Sequence, residues 1–364
     1  MAADAPRILL AGGGTGGHLF PALAIADEIK ALRPDAQFLF VGTAQKIEAR
    51  VVPQKGYPFA TIWISGFHRN LRPGNLLFPL KLVVSLIQSF VLVRRFRPDV
   101  AIGTGGYVCG PVLSVAARLG VPVVVHESNS FPGVTTRLLE RRARIVFTAF
   151  EATRKWLRRP ETMEVVGTPT RAALDAADRE TAARTFGLDP AAPTVLVFGG
   201  SLGAASINRT VETQLGPWAQ EHGVQLIWQT GTSDSPRAEE RSATRWTGPF
   251  IEAMDQAYAA ADIVVCRAGA TTLAEITRLG KPAILVPYPH AAADHQTVNA
   301  RTLAEAGAAV LVPDAQVESR LTTEVQKLLA DAGARMKMHE ASRRLGRPDA
   351  DRVVAERILG LIKR

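Results

Sequence analysis

At 364 residues the chain is longer than one ordinary domain, and two domains of about 100–200 residues each are the natural expectation. An apolar fraction of 47% with 21% charged residues excludes a disordered or fibrous chain, and two cysteines, Cys109 and Cys266, exclude a disulfide framework and fit a reducing compartment. The formal charge of +9 is unevenly placed: residues 1–170 carry 21 basic against 11 acidic residues, and residues 171–364 carry 22 against 23.

In chain order, short β-branched runs predict strands at 7–11, 37–41, 100–102, 121–125, 145–148 and 164–166. After an Ala-rich helical stretch they resume at 194–198, 225–229, 263–266, 283–286 and 309–311. Periodic segments such as 22–32 and 272–279 predict helices between them. Continuous apolar strands alternating with helices imply parallel sheets buried on both faces. Two such series, each opening on a Gly-rich loop, predict an α/β fold of two Rossmann-like doubly wound parallel-sheet domains facing a cleft. The boundary falls near Pro169 and Thr170, giving domains 1–170 and 171–350. A last amphipathic helix follows the break at Gly346–Pro348, and pattern leaves open whether it stays with the second domain or packs back on the first. The N-terminus has no basic region followed by an apolar run, so no signal peptide is expected.

Four Gly-rich loops follow strands. The first, Gly12–His18, satisfies GxGxxG between a strand and a helix, which aims backbone N–H groups and a helix N-terminus at one place. A nicotinamide site then demands an acid at the end of the second strand, and Val41-Gly42-Thr43 has none. The others are Gly103–Tyr107, Gly199–Gly203 and Arg267–Thr272. Each alone reads equally well as a tight βα turn. Four together, split between two domains, favour a cleft for anionic ligands. None ends in the Gly-Lys-Ser/Thr of a P-loop, which disfavours nucleotide triphosphate hydrolysis.

The ordered set Gly13–His18, Gly105–Val108, His126–Asn129, Gly199–Ser201, Cys266–Glu275, Pro287–His290 and Asp294–Gln296 resembles the MurG family of peptidoglycan glycosyltransferases, and the match spans roughly residues 7–312. The resemblance implies the two-domain GT-B fold and inverting transfer of GlcNAc from UDP-GlcNAc to the muramyl 4-hydroxyl of lipid I, giving lipid II. It also implies a peripheral protein on the cytoplasmic face of the bacterial inner membrane, with other cell-wall synthesis and division proteins as partners.

By the same resemblance the donor pocket comprises Thr15, Gly16, Gly17, Asn129, Arg171, Ser201, Ile251, Ala270, Thr271, Thr272, Leu273, Ala274, Glu275 and Gln296. Glu275 would hold the ribose hydroxyls and Gln296 the GlcNAc ring. Thr272 and Glu275 also fit a capping box, a purely structural reading. Arg171 could otherwise be a solvated charge, but its place just after the hinge Pro169 favours the pocket; the alternative for Asn129 is a turn residue before Pro132-Gly133. An inverting transfer needs a base for the acceptor hydroxyl. His18 is the first candidate, against a role in bonding only the loop or a phosphate, and Glu127 is the rival base. Gly13, Gly14, Gly105, Gly106 and Tyr107 fit the acceptor pyrophosphate. Leu202, Ser128, Cys109 and Ala293 depart from the family's usual residues and each changes one polar contact. No cofactor or bound metal is expected: no His/Cys cluster has ligand spacing, and Asp349-Ala350-Asp351 reads as a helix N-cap.

Between Glu48 and Asp99 lie eight basic residues and no acid. The most apolar stretch, Leu76–Val93, falls short of the ~20 residues a spanning helix needs and reads either as a core helix or as an interfacial one. Arg69, Arg72, Leu77, Phe78, Lys81, Arg94, Arg95 and Arg97 favour docking on an anionic phospholipid surface, with Arg137, Arg141, Arg142 and Arg144 extending the patch. At ~1 kcal/mol per basic residue, four would give roughly 4 kcal/mol, enough for reversible association. The alternatives are a UDP-GlcNAc 2-epimerase, which shares the architecture, and a GT-B transferase with another lipid acceptor. A nucleic-acid partner is disfavoured, because no aromatic-interleaved basic stripe occurs.

Overall fold

A computed structural model describes residues 5–66, 77–232, 239–291 and 294–362. Contacts divide the chain into two units. One runs to Arg171 and takes back the C-terminal segment from Pro348; the other is Ala172–Arg347.

The first unit holds a seven-stranded parallel sheet of β1 (Arg7–Ala11), β2 (Gln37–Gly42), β3 (Phe59–Thr61), β4 (Val100–Gly103), β5 (Val123–Glu127), β6 (Ile145–Thr148) and β7 (Met163–Val165). Its order is β3-β2-β1-β4-β5-β6-β7. Both faces are covered. Ile8, Leu10, Ile102 and Phe147 pack on one side with the helix Gly16–Leu32, and Leu9, Ala11, Ala101 and Val125 pack on the other with Val93, Val112 and Leu113. The terminal helix Ala350–Leu361 joins the first of these cores through Val354, Ala355 and Ile358, all fully buried. Burying the Val and Ile side chains contributes about 1.5–3 kcal/mol each, so this helix belongs to the first unit although it is encoded after the second.

The second unit repeats the plan with β8 (Thr194–Phe198), β9 (Gln225–Gln229), β10 (Glu240–Ser242), β11 (Arg245–Gly248), β12 (Ile263–Cys266), β13 (Ala283–Leu285) and β14 (Val310–Leu311), in the order β10-β11-β9-β8-β12-β13-β14. Only β10 runs antiparallel to its neighbour.

Several boundaries differ from the sequence pattern. The first helix starts at Gly16, six residues before the apolar periodicity becomes visible. Strand β5 is displaced from 121–125 to Val123–Glu127, because Pro122 cannot donate to a ladder and His126 and Glu127 are carried into the sheet despite their polarity. Strands β3, β10 and β11 gave no signal: β3 and β10 are three-residue edge strands, Glu240-Arg241-Ser242 is exposed throughout, and Arg245–Gly248 carries one large apolar residue, Trp246, between polar ones and a glycine.

Candidate functional site

In an open parallel sheet a ligand site forms at the strand C-termini where the order reverses. In the first unit that switch lies between β1 and β4; in the second it lies between β8 and β12. The loops at these two switch points are Gly12–Gly17 and Gly103–Tyr107, and Gly199–Gly203 and Arg267–Gly269. All four Gly-rich loops of the sequence therefore occupy the positions where doubly wound sheets bind ligands.

The two loops of the first unit interlock. Thr104 Oγ1 donates to His18 O at 2.6 Å. Gly105 and Gly106 have φ of +112° and +85°, and a Cβ on Gly105 would stand 2.5 Å from His18 Cδ2, while one on Gly106 would stand 2.5 Å from Gly13 O. Only glycine meets both demands there. His18 sits in the first turn of the Gly16–Leu32 helix, half-buried, with Nδ1 3.2 Å from Gly13 O and 3.4 Å from Thr15 Oγ1. A carbonyl can only accept, so Nδ1 carries the proton and Nε2 of the neutral ring holds the lone pair a base requires. Tyr107 lies against Gly14: a Cβ there would touch its ring at 3.4 Å. Burial pushes the Tyr107 phenol above its ordinary pKa.

Glu48 is a residue that sequence reasoning missed. It lies in the first turn of the helix Ile47–Gln54 and is fully buried. Its carboxylate accepts from Thr43 N at 3.1 Å, Thr43 Oγ1 at 2.8 Å and Gly14 N at 3.0 Å. The acid absent from the end of β2 is thus supplied five residues later and folded back. It spends the Gly14 N–H, so the reading of Gly13 and Gly14 as a phosphate cradle loses one donor and gains a buried carboxylate beneath it. The available signal was an isolated Glu just after a Gly-Thr strand end.

Glu127 is 6% exposed at the end of β5. Its oxygens accept from Asn129 N and Nδ2 (both 3.1 Å), Gly133 N (2.9 Å) and Thr136 Oγ1 (2.7 Å). Four donors converge on this carboxylate, which fits an organiser of the 128–133 loop and argues against the rival base. Asn129 is turned onto Glu127 by the same bonds. His126, fully buried, donates from Nε2 to Gly167 O at 2.9 Å, and burial lowers its pKa. Arg171 places its guanidinium 5.0 Å over the Phe20 ring, within the first unit.

In the second unit the helix Ala270–Leu279 starts at the N-cap Gly269. Thr272 is therefore inside the helix, no side chain caps it, and the capping-box reading is wrong. Ala270 to Ala274 form its first turn and a half, at the positive end of the helix dipole, which favours an anion. Glu275 is buried one turn further and accepts from Tyr258 Oη at 3.0 Å. Gln229, also buried, ties the site together: Nε2 donates to Gly200 O at 2.9 Å and Oε1 accepts from Ile251 N at 2.8 Å. This fixes the loop that carries Ser201, whose O accepts from Thr232 N at 3.2 Å. The side chain of Ile251 is buried and its N–H is taken by Gln229 Oε1, so neither is offered to a ligand. Gln296 Oε1 accepts from Tyr288 N at 2.9 Å, which leaves its amide to act toward a ligand as a donor.

Gln229 and Arg267, like Glu48, were missed as site residues by sequence reasoning. Arg267 Nη1 donates to Pro287 O at 3.1 Å and pairs with Asp314 at 2.5 Å, and its Nη2 lies 3.3 Å from Ser206 Oγ. The guanidinium also lies 5.6 Å from the centroid of the Tyr288 ring. One arginine thus clamps the 287–288 segment to the start of the β12 loop.

Among the described residues no His/Cys/Asp/Glu cluster could hold a metal, and no helix is long and apolar enough to cross a membrane. Arg69, Arg72 and Ala293 lie outside the described residues. The helix Phe78–Phe96 is inside out: it buries Ser85, Ser89 and Val93, and leaves Leu80, Leu82, Val83, Ile87, Phe90 and Val91 exposed. Ser85 and Ser89 satisfy their hydroxyls on Leu82 O and Ser85 O. The core-helix reading fails. Leu77, Arg94, Arg95 and Arg97 are exposed beside this surface, Phe78 is half-buried, and Lys81 donates to Ser65 Oγ at 3.1 Å.

Family models for the glycosyltransferase family 28 N-terminal and C-terminal domains match residues 8–148 and 194–354. The chain belongs to glycosyltransferase family 28. Within family 28, it is 44% identical to a protein of Salinibacter ruber named UDP-N-acetylglucosamine--N-acetylmuramyl-(pentapeptide) pyrophosphoryl-undecaprenol N-acetylglucosamine transferase, over 100% of this chain and 99% of the relative. A Prosthecochloris aestuarii protein of the same name is 45% identical over 98% and 99%. Among solved structures, Acinetobacter baumannii MurG aligns with a TM-score of 0.71 at 27% identity, covering 98% of this chain and 99% of that one. A UDP-N-acetylglucosamine 2-epimerase aligns at 0.66 with 15% identity, covering 98% and 95%, a likeness of fold alone. The two family 28 domain models fall one on each sheet, in agreement with the GT-B architecture expected from the sequence.

Proposed function

We propose that this chain is an inverting N-acetylglucosaminyltransferase that moves GlcNAc from UDP-GlcNAc to the MurNAc 4-hydroxyl of lipid I, forming lipid II for peptidoglycan. The observation that carries this reading is 41–45% identity, over at least 98% of the chain, to relatives whose names state that transfer. The site chemistry is in accord with it.

In the step, the acceptor hydroxyl oxygen bonds to the sugar C1 as the C1–O bond to UDP breaks, and the hydroxyl proton passes to His18 Nε2. UDP departs with the bonding electron pair. The first turn of the Ala270–Leu279 helix receives the developing charge on the diphosphate, a contribution of ~0.3–2 kcal/mol from the dipole, to which individual N–H bonds add. Glu275 is assigned to the ribose hydroxyls, and Gln296 to an acceptor oxygen on the GlcNAc ring. No bound metal or cofactor is invoked. Tyr107 and the Gly103–Gly106 loop are assigned to the acceptor pyrophosphate, with the Gly13–Gly14 turn shaping the site and holding His18.

The inside-out helix Phe78–Phe96 would rest on an anionic leaflet, its exposed Leu, Ile and Phe side chains dipping in beside Arg94, Arg95 and Arg97. On this reading the protein would work peripherally on the cytoplasmic face of the inner membrane, where lipid I and other cell-wall and division proteins would meet it.

The test is to incubate the protein with UDP-GlcNAc radiolabelled in the sugar and a lipid I analogue. Label is expected in the lipid fraction and only when the acceptor is present. Label released as free sugar without acceptor would point to an epimerase instead.

A further inference from the structure

The peptide group joining Gly13 to Gly14 is held from both sides. Its N–H donates to Glu48 Oε2 at 3.0 Å, and its C=O lies 3.2 Å from His18 Nδ1. Because the carbonyl can only accept, the line runs from the carboxylate through one planar amide to the imidazole N–H. We propose that Glu48 is a positioning residue for the transfer reaction, acting on His18 through the Gly13–Gly14 peptide in the way a carboxylate behind a catalytic histidine usually acts by direct contact.

Three features support this. Glu48 is fully buried, where a carboxylate is costly unless its hydrogen bonds are made and its charge is used. Its other oxygen is locked by Thr43 N at 3.1 Å and Thr43 Oγ1 at 2.8 Å, so Oε2 has one fixed direction in which to act. The approach is as close as sterics allow, since a Cβ on Gly13 would stand 2.5 Å from Glu48 Oε1 and one on Gly42 2.5 Å from Glu48 Cγ.

A carboxylate bonded to an amide N–H polarises the amide and strengthens its carbonyl as an acceptor. The carbonyl then holds His18 in the tautomer with the proton on Nδ1, which leaves Nε2 to take the acceptor proton. It also stabilises the positive ring formed when that proton arrives. No covalent step is added and no further reactant is required.

The inference rests on His18 being the base, and one kinetic square separates the two. Wild type, His18→Ala, Glu48→Gln and the double variant are compared at saturating UDP-GlcNAc and lipid I analogue. His18→Ala is expected to lower kcat at least ~100-fold. Glu48→Gln, which keeps the shape and loses the charge, is expected to lower kcat about 10- to 100-fold with both KM values within threefold. The double variant is expected to be no slower than His18→Ala alone. Near-normal turnover by His18→Ala overturns the base and the inference with it. A slow His18→Ala with wild-type rates for Glu48→Gln, or with fully additive losses, overturns the role of Glu48 alone. Should Glu48→Gln not fold, Thr43→Val removes one anchor of the carboxylate: a several-fold fall in kcat that vanishes in the His18→Ala background supports the line, and an unchanged kcat contradicts it.

Discussion

The two units share one plan and use it differently. Each has a seven-stranded sheet with Gly-rich loops at its switch point. In the first, a hydroxyl and two buried carboxylates hold the loops around His18 and the end of β5: Thr104 donates to His18 O, Glu48 accepts from Gly14 N, and Glu127 gathers the 128–133 loop. In the second, neutral or clamping groups do the holding, with Gln229 bridging Gly200 to Ile251 and Arg267 fastening Pro287. The difference suits their proposed ligands. A unit that must activate a hydroxyl needs titratable groups with fixed tautomers, whereas one that binds a nucleotide diphosphate keeps its helix N-terminus free of acids, as the first turn of Ala270–Leu279 is.

If the division holds, variants in the two units should damage different kinetic constants. Gln229→Leu leaves the buried Ile251 N without its acceptor, a loss of about 1–3 kcal/mol, and frees the 199–203 loop from the bond that Gln229 makes to Gly200 O. The KM for UDP-GlcNAc is expected to rise about 10-fold or more, with the acceptor KM unchanged; an equal rise in both would break the comparison. Next in size, Ile87→Glu combined with Phe90→Glu should lower partition onto anionic vesicles about 10-fold without changing turnover of a water-soluble acceptor analogue. Wild-type binding is expected to fade at high salt, and equal binding to neutral vesicles would remove the electrostatic part.

The smallest effect is one of pH. Burial holds the pKa of His126 below the ordinary 6.5, so the unfolded chain takes up a proton first as pH falls. His126 therefore costs the first unit no stability above about pH 6.5 and an increasing amount below it. The slope of Tm against pH in that region should flatten in His126→Gln; an unaltered slope would mean that other groups carry it.

The fold was legible because buried parallel strands are written as unbroken apolar runs, and the glycines marked every switch-point loop. What the pattern missed was short or polar. Edge strands of three residues bury too little to leave a signature, and the terminal helix reveals its partner only through Val354 and Ile358 in the first core. In the site, His18 and Glu275 were legible by resemblance. Glu48 and Gln229 were not, because a carboxylate that folds back over five residues and an amide at a strand end look like ordinary polar positions until the chain is closed. The apolar run at 76–93 was ambiguous for the same reason: only packing tells that its serines face inward.

The division of labour is tested most directly by hydrogen–deuterium exchange of the full chain with UDP-GlcNAc alone. The account predicts that the strongest protection appears in the second unit, at 199–203, 229–232 and 269–275, with a smaller change or none at 12–18 and 103–107. Protection that is strongest at 12–18 and 103–107 and absent around Gly269 would contradict it.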